Sequence, residues 1–241
     1  TKSSRCNPPM KNMNRLYFSL FLASGFCGLC YQVVWLRLAF GHFGVITPVL
    51  SVIVSVFMLG LALGSWAAGR WGKALSEKTG WNGAQLYALA EIVIGMSAFA
   101  VPALFAIGDH WLLPRGGMDS FGYLALSGLV ITVVLLPWCF AMGTTYPLMM
   151  GFIRSQQSDD QNSFSFLYLA NVIGALAGTV LTANVLIEIL GFRNTLAIAG
   201  FTNFAVAVVS WRMGSRATAV ISQQESTSGV ESVVSLDTST R

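Results

Sequence analysis

The stretch from Thr47 to Gly69, TPVLSVIVSVFMLGLALGSWAAG, runs 23 residues without a charged side chain. At 1.5 Å per residue, a helix of that length reaches across the roughly 30 Å hydrocarbon core of a bilayer. Five comparable charge-poor runs lie around it: Leu16 to Phe40, Gln85 to Ile107, Phe121 to Phe152, Phe164 to Ile187 and Asn194 to Trp211. Backbone groups in lipid must be satisfied within their own segment, so these runs predict helices. The expected fold is an all-α polytopic integral membrane protein with six transmembrane helices. Composition agrees, with 54% hydrophobic and only 10% charged residues, where a soluble domain carries about 25% charged residues. A soluble enzyme is excluded.

Three segments are expected. Residues 1–15 form a basic cytoplasmic N-terminus, 16–211 the transmembrane domain, and 212–241 a disordered Ser/Thr-rich cytoplasmic tail or linker whose composition does not offset its ordering entropy. The first apolar run is too long for a signal sequence, and no small-residue cleavage site closes it. The chain begins at Thr1, without an initiator Met, which fits a processed product or a fragment.

Orientation follows from the basic residues. Lys2, Arg5, Lys11, Arg15, Arg70, Lys73, Lys78, Arg154, Arg212, Arg216 and Arg241 fall on one side, and only Arg37, Arg115 and Arg193 on the other. Cytoplasmic loops collect Lys and Arg, so both termini are expected in the cytoplasm. Tyr17, Trp66, Trp71, Trp81 and Trp211 are expected as interfacial anchors on the inner side, and Trp111 on the outer. The net charge of +4 reflects this topology and is not read as a nucleic-acid footprint.

Small residues recur four apart, as Gly60, Gly64 and Ala68 in the second run and Ala170, Gly174 and Gly178 in the fifth. That spacing lets helix backbones approach closely in lipid, and packing within the bundle is the reading adopted over a dimer face. Cys27 and Cys30 form a Cys-x-x-Cys pair inside an apolar helix with no second pair or nearby His, so they are read as small packing residues. Cys6 and Cys139 fit no pairing rule either; no disulfide, metal or cofactor is expected. Pro48, Pro102, Pro137 and Pro147 are expected to bend their helices.

Polar groups inside apolar runs are costly and therefore informative. Glu91 lies about seven residues into the third run, where a charge at helix centre costs about 2.5 to 3.5 kcal/mol. Asn171 in the fifth run and Thr144, Thr145 and Tyr146 in the fourth lie at a similar depth, roughly 10 Å from the inner surface. Together they predict one polar layer, whose role is open between a ligand site, a proton-handling site and a structural hydrogen-bond network. Gln32 is near mid-span. A second, outer set comprises Arg37, His42, Asp109, His110, Glu188 and Arg193, the last two around the turn between the fifth and sixth runs; boundary charges of this kind pair loosely.

Several of these pieces occur together in a familiar order. Ser24-Gly25-Phe26 through Tyr31-Gln32-Val33-Val34-Trp35-Leu36-Arg37, Phe57 through Ser65 ending in Gly69-Arg70, Leu86 through Glu91 with Ile94-Gly95, Met142 through Leu148, Leu167 through Asn171 with Gly174-Ala175, and Leu190 through Leu196 are the residues concerned. Across residues 18–210 this order resembles the membrane domain of the spermidine synthase-like proteins fused to a major-facilitator-like half. That family usually has Glu where this chain has Gln32. Arg70, Gly72 and Lys73 fit the facilitator loop motif, whereas Gly69 stands where the motif has Asp.

The resemblance implies a six-helix bundle like half of a major facilitator, in a bacterial inner membrane. It also implies a non-catalytic module that anchors or regulates a cytoplasmic spermidine synthase-like domain. No Gly-rich strand-loop-helix unit follows residue 211, so no catalytic residue is assigned to this chain. The alternative is a half-size transporter of a small cationic or amphipathic solute, working as a homodimer. In either case Glu91, Asn171, Tyr146, Thr145 and Gln32 are the candidate substrate-binding residues, with a polyamine as candidate ligand.

Overall fold

The computed structural model describes the backbone of residues 10–112, 120–156 and 161–239, and the side chains of residues 15–110, 121–156 and 165–219. Lys2, Arg5, Cys6, Arg115 and Arg241, as well as the side chains of Lys11 and Trp111, lie outside the described residues.

Among the described residues the chain is helical almost throughout. Its elements are α1 (Met10–Phe43), α2 (Thr47–Thr79), α3 (Gly83–Leu112), α4 (Ser120–Gln156), α5 (Gln161–Leu181), a π turn (Thr182–Leu186) and α6 (Ile187–Ser239). Five helical stretches are long and apolar enough to cross a membrane, the fifth running from Ser165 to Ala219. That fifth stretch is broken at Gly191, whose φ of 72° and ψ of 173° are not helical. Only glycine takes that backbone without strain.

Local chemistry sets the other ends. Gly44 (φ 95°) ends the turn after α1. Extended Ile46 leads into α2, and Pro48 sits in that helix's first turn, where its missing N–H costs nothing. Pro48 therefore starts a helix and does not bend one; Pro102, Pro137 and Pro147 are interior, as expected. Gly80 (φ 71°) closes α2 by donating its N–H to the Ser76 carbonyl at 2.9 Å. Asn82 and Gln85 then cap α3 reciprocally: the Gln85 N–H donates to Asn82 Oδ1 at 3.1 Å, and the Asn82 N–H to Gln85 Oε1 at 3.0 Å.

Contacts fix the helix directions. Phe18 meets Phe166, Gly25 faces Asn171 and Phe26 faces Gly178, so α1 and α5 run parallel. Gly60 lies against Cys139, Gly64 against Phe140 and Gly72 near Leu148, so α2 and α4 are parallel too. Gly83 packs near Phe152 and Gly108 on Val130, making α3 antiparallel to α4. Beyond Gly191 the chain reverses: Gly200 meets Ala98 and Gly214 meets Asn82, so this arm descends along α3.

The glycine faces are used inside the chain. A Cβ at Gly174 or Gly178 would overlap the carbonyl of Leu22 or Phe26, and one at Gly64 the carbonyl of Phe140. Gly60 gives room to Cys139, which with Cys27 and Cys30 is a buried free thiol in the larger core cluster. Met58, Val133, Leu176 and Phe201 are exposed at mid-helix, an apolar exterior compatible with lipid.

Three features bear on the sequence expectations. The α1 helix already includes Met10. Helix α6 does not stop at Arg212: Met213 and Ala217 pack on the smaller core cluster, and the Asn82 amide donates to the Gly214 carbonyl at 2.7 Å and to Thr218 Oγ1 at 3.1 Å. Those contacts supply the burial and hydrogen bonding that composition alone did not reveal. Tyr17, expected as an interfacial anchor, is buried in that same cluster. The tryptophans do gather in pairs, Trp66 with Trp71 at 5.0 Å and Trp81 with Trp211 at 5.3 Å between ring centroids.

Candidate functional site

Two apolar clusters fill the bundle, and the polar layer lies where they meet. On α1 the smaller cluster ends at Phe21 and the larger begins at Cys27, with Ser24 and Gly25 between. On α3, Glu91 falls between Tyr87 and Ile94; on α4, Thr144 to Tyr146 fall between Met142 and Met149; on α6, Asn203 falls between Ala199 and Val206. Asn171 directly follows the smaller cluster's last α5 residue, Ala170. The expected layer therefore forms, and α1 is its hub.

Ser24 Oγ donates to Glu91 Oε1 at 2.7 Å. Gly25 abuts the Asn171 backbone and side chain so closely that a Cβ would overlap both. The Phe21 ring meets Tyr146 edge-on at 5.5 Å, and Tyr146 meets Tyr168 edge-on at 6.2 Å. Thr144 and Thr145 donate their hydroxyl protons to the Ala141 and Met142 carbonyls of their own helix, both at 2.7 Å.

Glu91 is fully buried, and its Oε2 has no hydrogen-bond partner. Tyr87, one helical turn earlier, brings its hydroxyl close enough to act on the carboxyl without meeting hydrogen-bond geometry. Among the described residues Arg37 pairs with Glu188 and the His42 ring lies against Asp109; neither contact involves Glu91. Among the described residues no counter-charge meets this carboxyl, an arrangement that costs several kcal/mol when ionised.

Beside it opens a pocket of about 270 Å³ to which every helix contributes. Thr145, Tyr146 and Asn171 line it, and so do Ser24, Tyr87 and Asn203. Glu91 sits behind Ser24 and Tyr87 and does not line the pocket; Gln32 is eight residues from Ser24 along α1 and does not reach it. The loop-motif residues Gly72 and Lys73 lie elsewhere, in a groove of about 800 Å³ shared with Glu77 and Arg154, and Arg70 lines neither. Tyr146 borders both cavities.

Sequence reasoning missed Ser24 and Asn203 as site residues. Asn203 had a signal, since an amide inside an apolar run is as costly as Asn171. It is 1% exposed, and its Oδ1 has no partner. At the Gly44 end of α1, His42 Nδ1 lies 3.2 Å from Asp109 Oδ2, and Arg37 lies 3.5 Å from Glu188 while donating to the Ala183 carbonyl of the π turn at 3.1 Å. Among the described residues no group of three or more metal-ligating side chains forms.

Comparison with known proteins gives one informative similarity. Over 184 residues the chain is 30% identical to polyamine aminopropyltransferase 2 of Streptomyces coelicolor, an alignment covering 75% of this chain and 30% of that protein. The chain thus spans about 30% of the length of the curated relative it matches. No protein-family model matches the chain. No solved structure matches it either.

Proposed function

We propose that the chain is a non-catalytic membrane module of a polyamine aminopropyltransferase-related protein, anchoring or regulating a cytoplasmic transferase domain. The observation that carries this reading is the 184-residue similarity to a polyamine aminopropyltransferase, borne by a chain of long apolar helices. In this reading the helix reversal at Gly191 makes six crossings, arranged like half of a major facilitator. The basic residues then put both termini and the groove lined by Lys73 and Arg154 in the cytoplasm. The transferase chemistry belongs to the part of such a protein that this chain does not cover.

Two measurements test it. Cysteine-accessibility labelling should place residue 75 in the cytoplasm and residue 115 outside; labelling of 115 only after the inner side is permeabilised would refute the orientation. The tagged chain, purified from its native membrane, should bring down aminopropyltransferase activity while showing none after stripping to the chain alone. Activity from the stripped chain, or none in the unstripped material, overturns the proposal.

The pocket shared by all helices favours a second reading, a half-size transporter of a small cation working as a dimer. The Gly60/Gly64 and Gly174/Gly178 faces are occupied within the chain, so a dimer would have to use another surface. Uptake of a polyamine into liposomes holding only this chain is its test.

A further inference from the structure

We propose that the pocket between the two apolar clusters binds the cationic end of a linear alkylamine, held by Ser24, Asn203 and the tyrosines, with Glu91 supplying its counter-charge from behind. Ser24 points its hydroxyl proton at the Glu91 carboxyl, and Thr145 points its own at the Met142 carbonyl. Toward the pocket, both hydroxyls therefore offer lone pairs and no proton. Asn203 adds a buried carbonyl oxygen that has no partner and lines the same space. Among the described residues, no Lys, Arg or His lines the pocket. Acceptors without a resident cation, backed by an acid without a resident counter-ion, call for a ligand that carries positive charge and several N–H donors.

The remaining wall specifies the rest of that ligand. Phe21 and Tyr168 each meet Tyr146 edge-on, and all three rings line the pocket, an aromatic wall of the kind that attracts an ammonium group. Leu61, Ile94 and Met142 line the pocket as well, and suit a methylene chain. A volume of about 270 Å³ falls just below the range of about 300 to 1,000 Å³ for drug-sized ligands, as a small unbranched amine requires. Asn203 is buried with an unpartnered carbonyl oxygen, which is expensive for packing alone and is relieved when a donor enters the pocket. Glu91 does not line the pocket, so it acts through Ser24 and Tyr87 and is a positioning residue.

The choice of a diamine as the first probe rests on the reading of the chain as part of a polyamine aminopropyltransferase-related protein. The experiment is equilibrium dialysis of isotope-labelled 1,4-diaminobutane against the purified chain in mild detergent, with 1,4-butanediol as an uncharged probe of the same length. Saturable binding of the diamine, none of the diol, and at least a tenfold loss of affinity in both Glu91→Gln and Asn203→Leu is the expected result. If Glu91→Gln is not monodisperse, Tyr168→Leu takes its place and must show the same loss. No saturable binding to the wild-type chain, equal binding of the diol, unchanged affinity in the folded variants, or displacement by equimolar Na⁺ would each overturn the site. A chain that brings down transferase activity yet binds no diamine loses only this inference, and one that binds diamine without bringing down activity loses only the anchoring role.

Discussion

Helices α1 and α3 are tied together twice, and the two ties differ in every electrostatic respect. Ser24 meets Glu91 at 2.7 Å, and 18 residues further along both helices His42 meets Asp109 at 3.2 Å. Eighteen residues are five helical turns, so both ties use the same faces, about 27 Å apart. The tie at the Gly44 end of α1, the outer one in the orientation proposed above, joins an imidazole to a carboxyl, with each side chain a little over a quarter exposed. The inner tie is a single acid, fully buried, with a neutral donor on one oxygen and none on the other. A pair at a boundary needs nothing further, because water completes it. A lone buried carboxyl is costly when ionised unless a counter-charge comes near it, and this one lies beside the cavity proposed above to receive one.

The largest effect should come from removing the inner tie. Glu91→Ala leaves a gap, orphans Ser24 and should destabilise the detergent-solubilised chain by about 2–4 kcal/mol. Glu91→Gln keeps the volume and an acceptor for Ser24, so its cost should stay under about 1 kcal/mol. Thermal melts of both variants in one detergent decide it. Equal losses would mean that the carboxyl itself, and not its shape, holds α1 to α3, and the contrast with the outer tie would fail.

Next in size is the glycine beside each tie. Gly25→Ala drives a methyl group into the Asn171 backbone carbonyl and side chain, an overpacking cost of about 1–3 kcal/mol. Gly41→Ala, next to His42, meets nothing within 4 Å and should be neutral or stabilising by up to about 1 kcal/mol through helix propensity. Comparable melting temperatures for the two variants would show that the middle of α1 is not wedged against α5 as its contacts require.

How much of this contrast was legible in the amino-acid order depends on the kind of information involved. Charge-poor runs, glycine spacing and the depth of Glu91, Asn171 and Tyr146 are one-dimensional properties, and the helices, the close backbone contacts and the polar layer follow from them. The partnership of Ser24 with Glu91 depends on the register of α1 against α3, which a serine in an apolar run does not disclose. Asn203 was legible by its cost and was overlooked. Gln32 shared the polar character of the site residues but stands about two turns from Ser24, too far along the axis to reach the pocket. Past Arg212, composition pointed to a loose tail, while the docking of residues 213–218 depends on Asn82, an α3 cap from more than a hundred residues earlier.

A smaller effect is expected at the outer tie. A double-mutant cycle with His42→Gln and Asp109→Asn should return a coupling of about 0.2–1 kcal/mol that shrinks as salt is added, as for other partly exposed pairs. A salt-independent coupling several times larger would place this pair in a dry environment and erase its difference from Glu91.

The smallest effect belongs to Glu188, whose side chain is 67% exposed and 3.5 Å from Arg37. Glu188→Gln should change stability by less than about 0.5 kcal/mol, since exposed pairs at that separation contribute little. Arg37→Met removes more than the ion pair, because the same guanidinium donates to the Ala183 carbonyl at 3.1 Å inside the π turn Thr182–Leu186. A π turn departs from the regular α-helical hydrogen-bond pattern, and a side-chain donor from α1 satisfies one of its carbonyls there. Arg37→Met should therefore cost about 1 kcal/mol more than Glu188→Gln, the worth of one charge-assisted hydrogen bond at a partly exposed position. Chemical denaturation of the two variants in the same micelle checks the order. If Glu188→Gln proves as costly as Arg37→Met, the ion pair holds α1 to the arm before Gly191, and the outer end is tied by charge twice over.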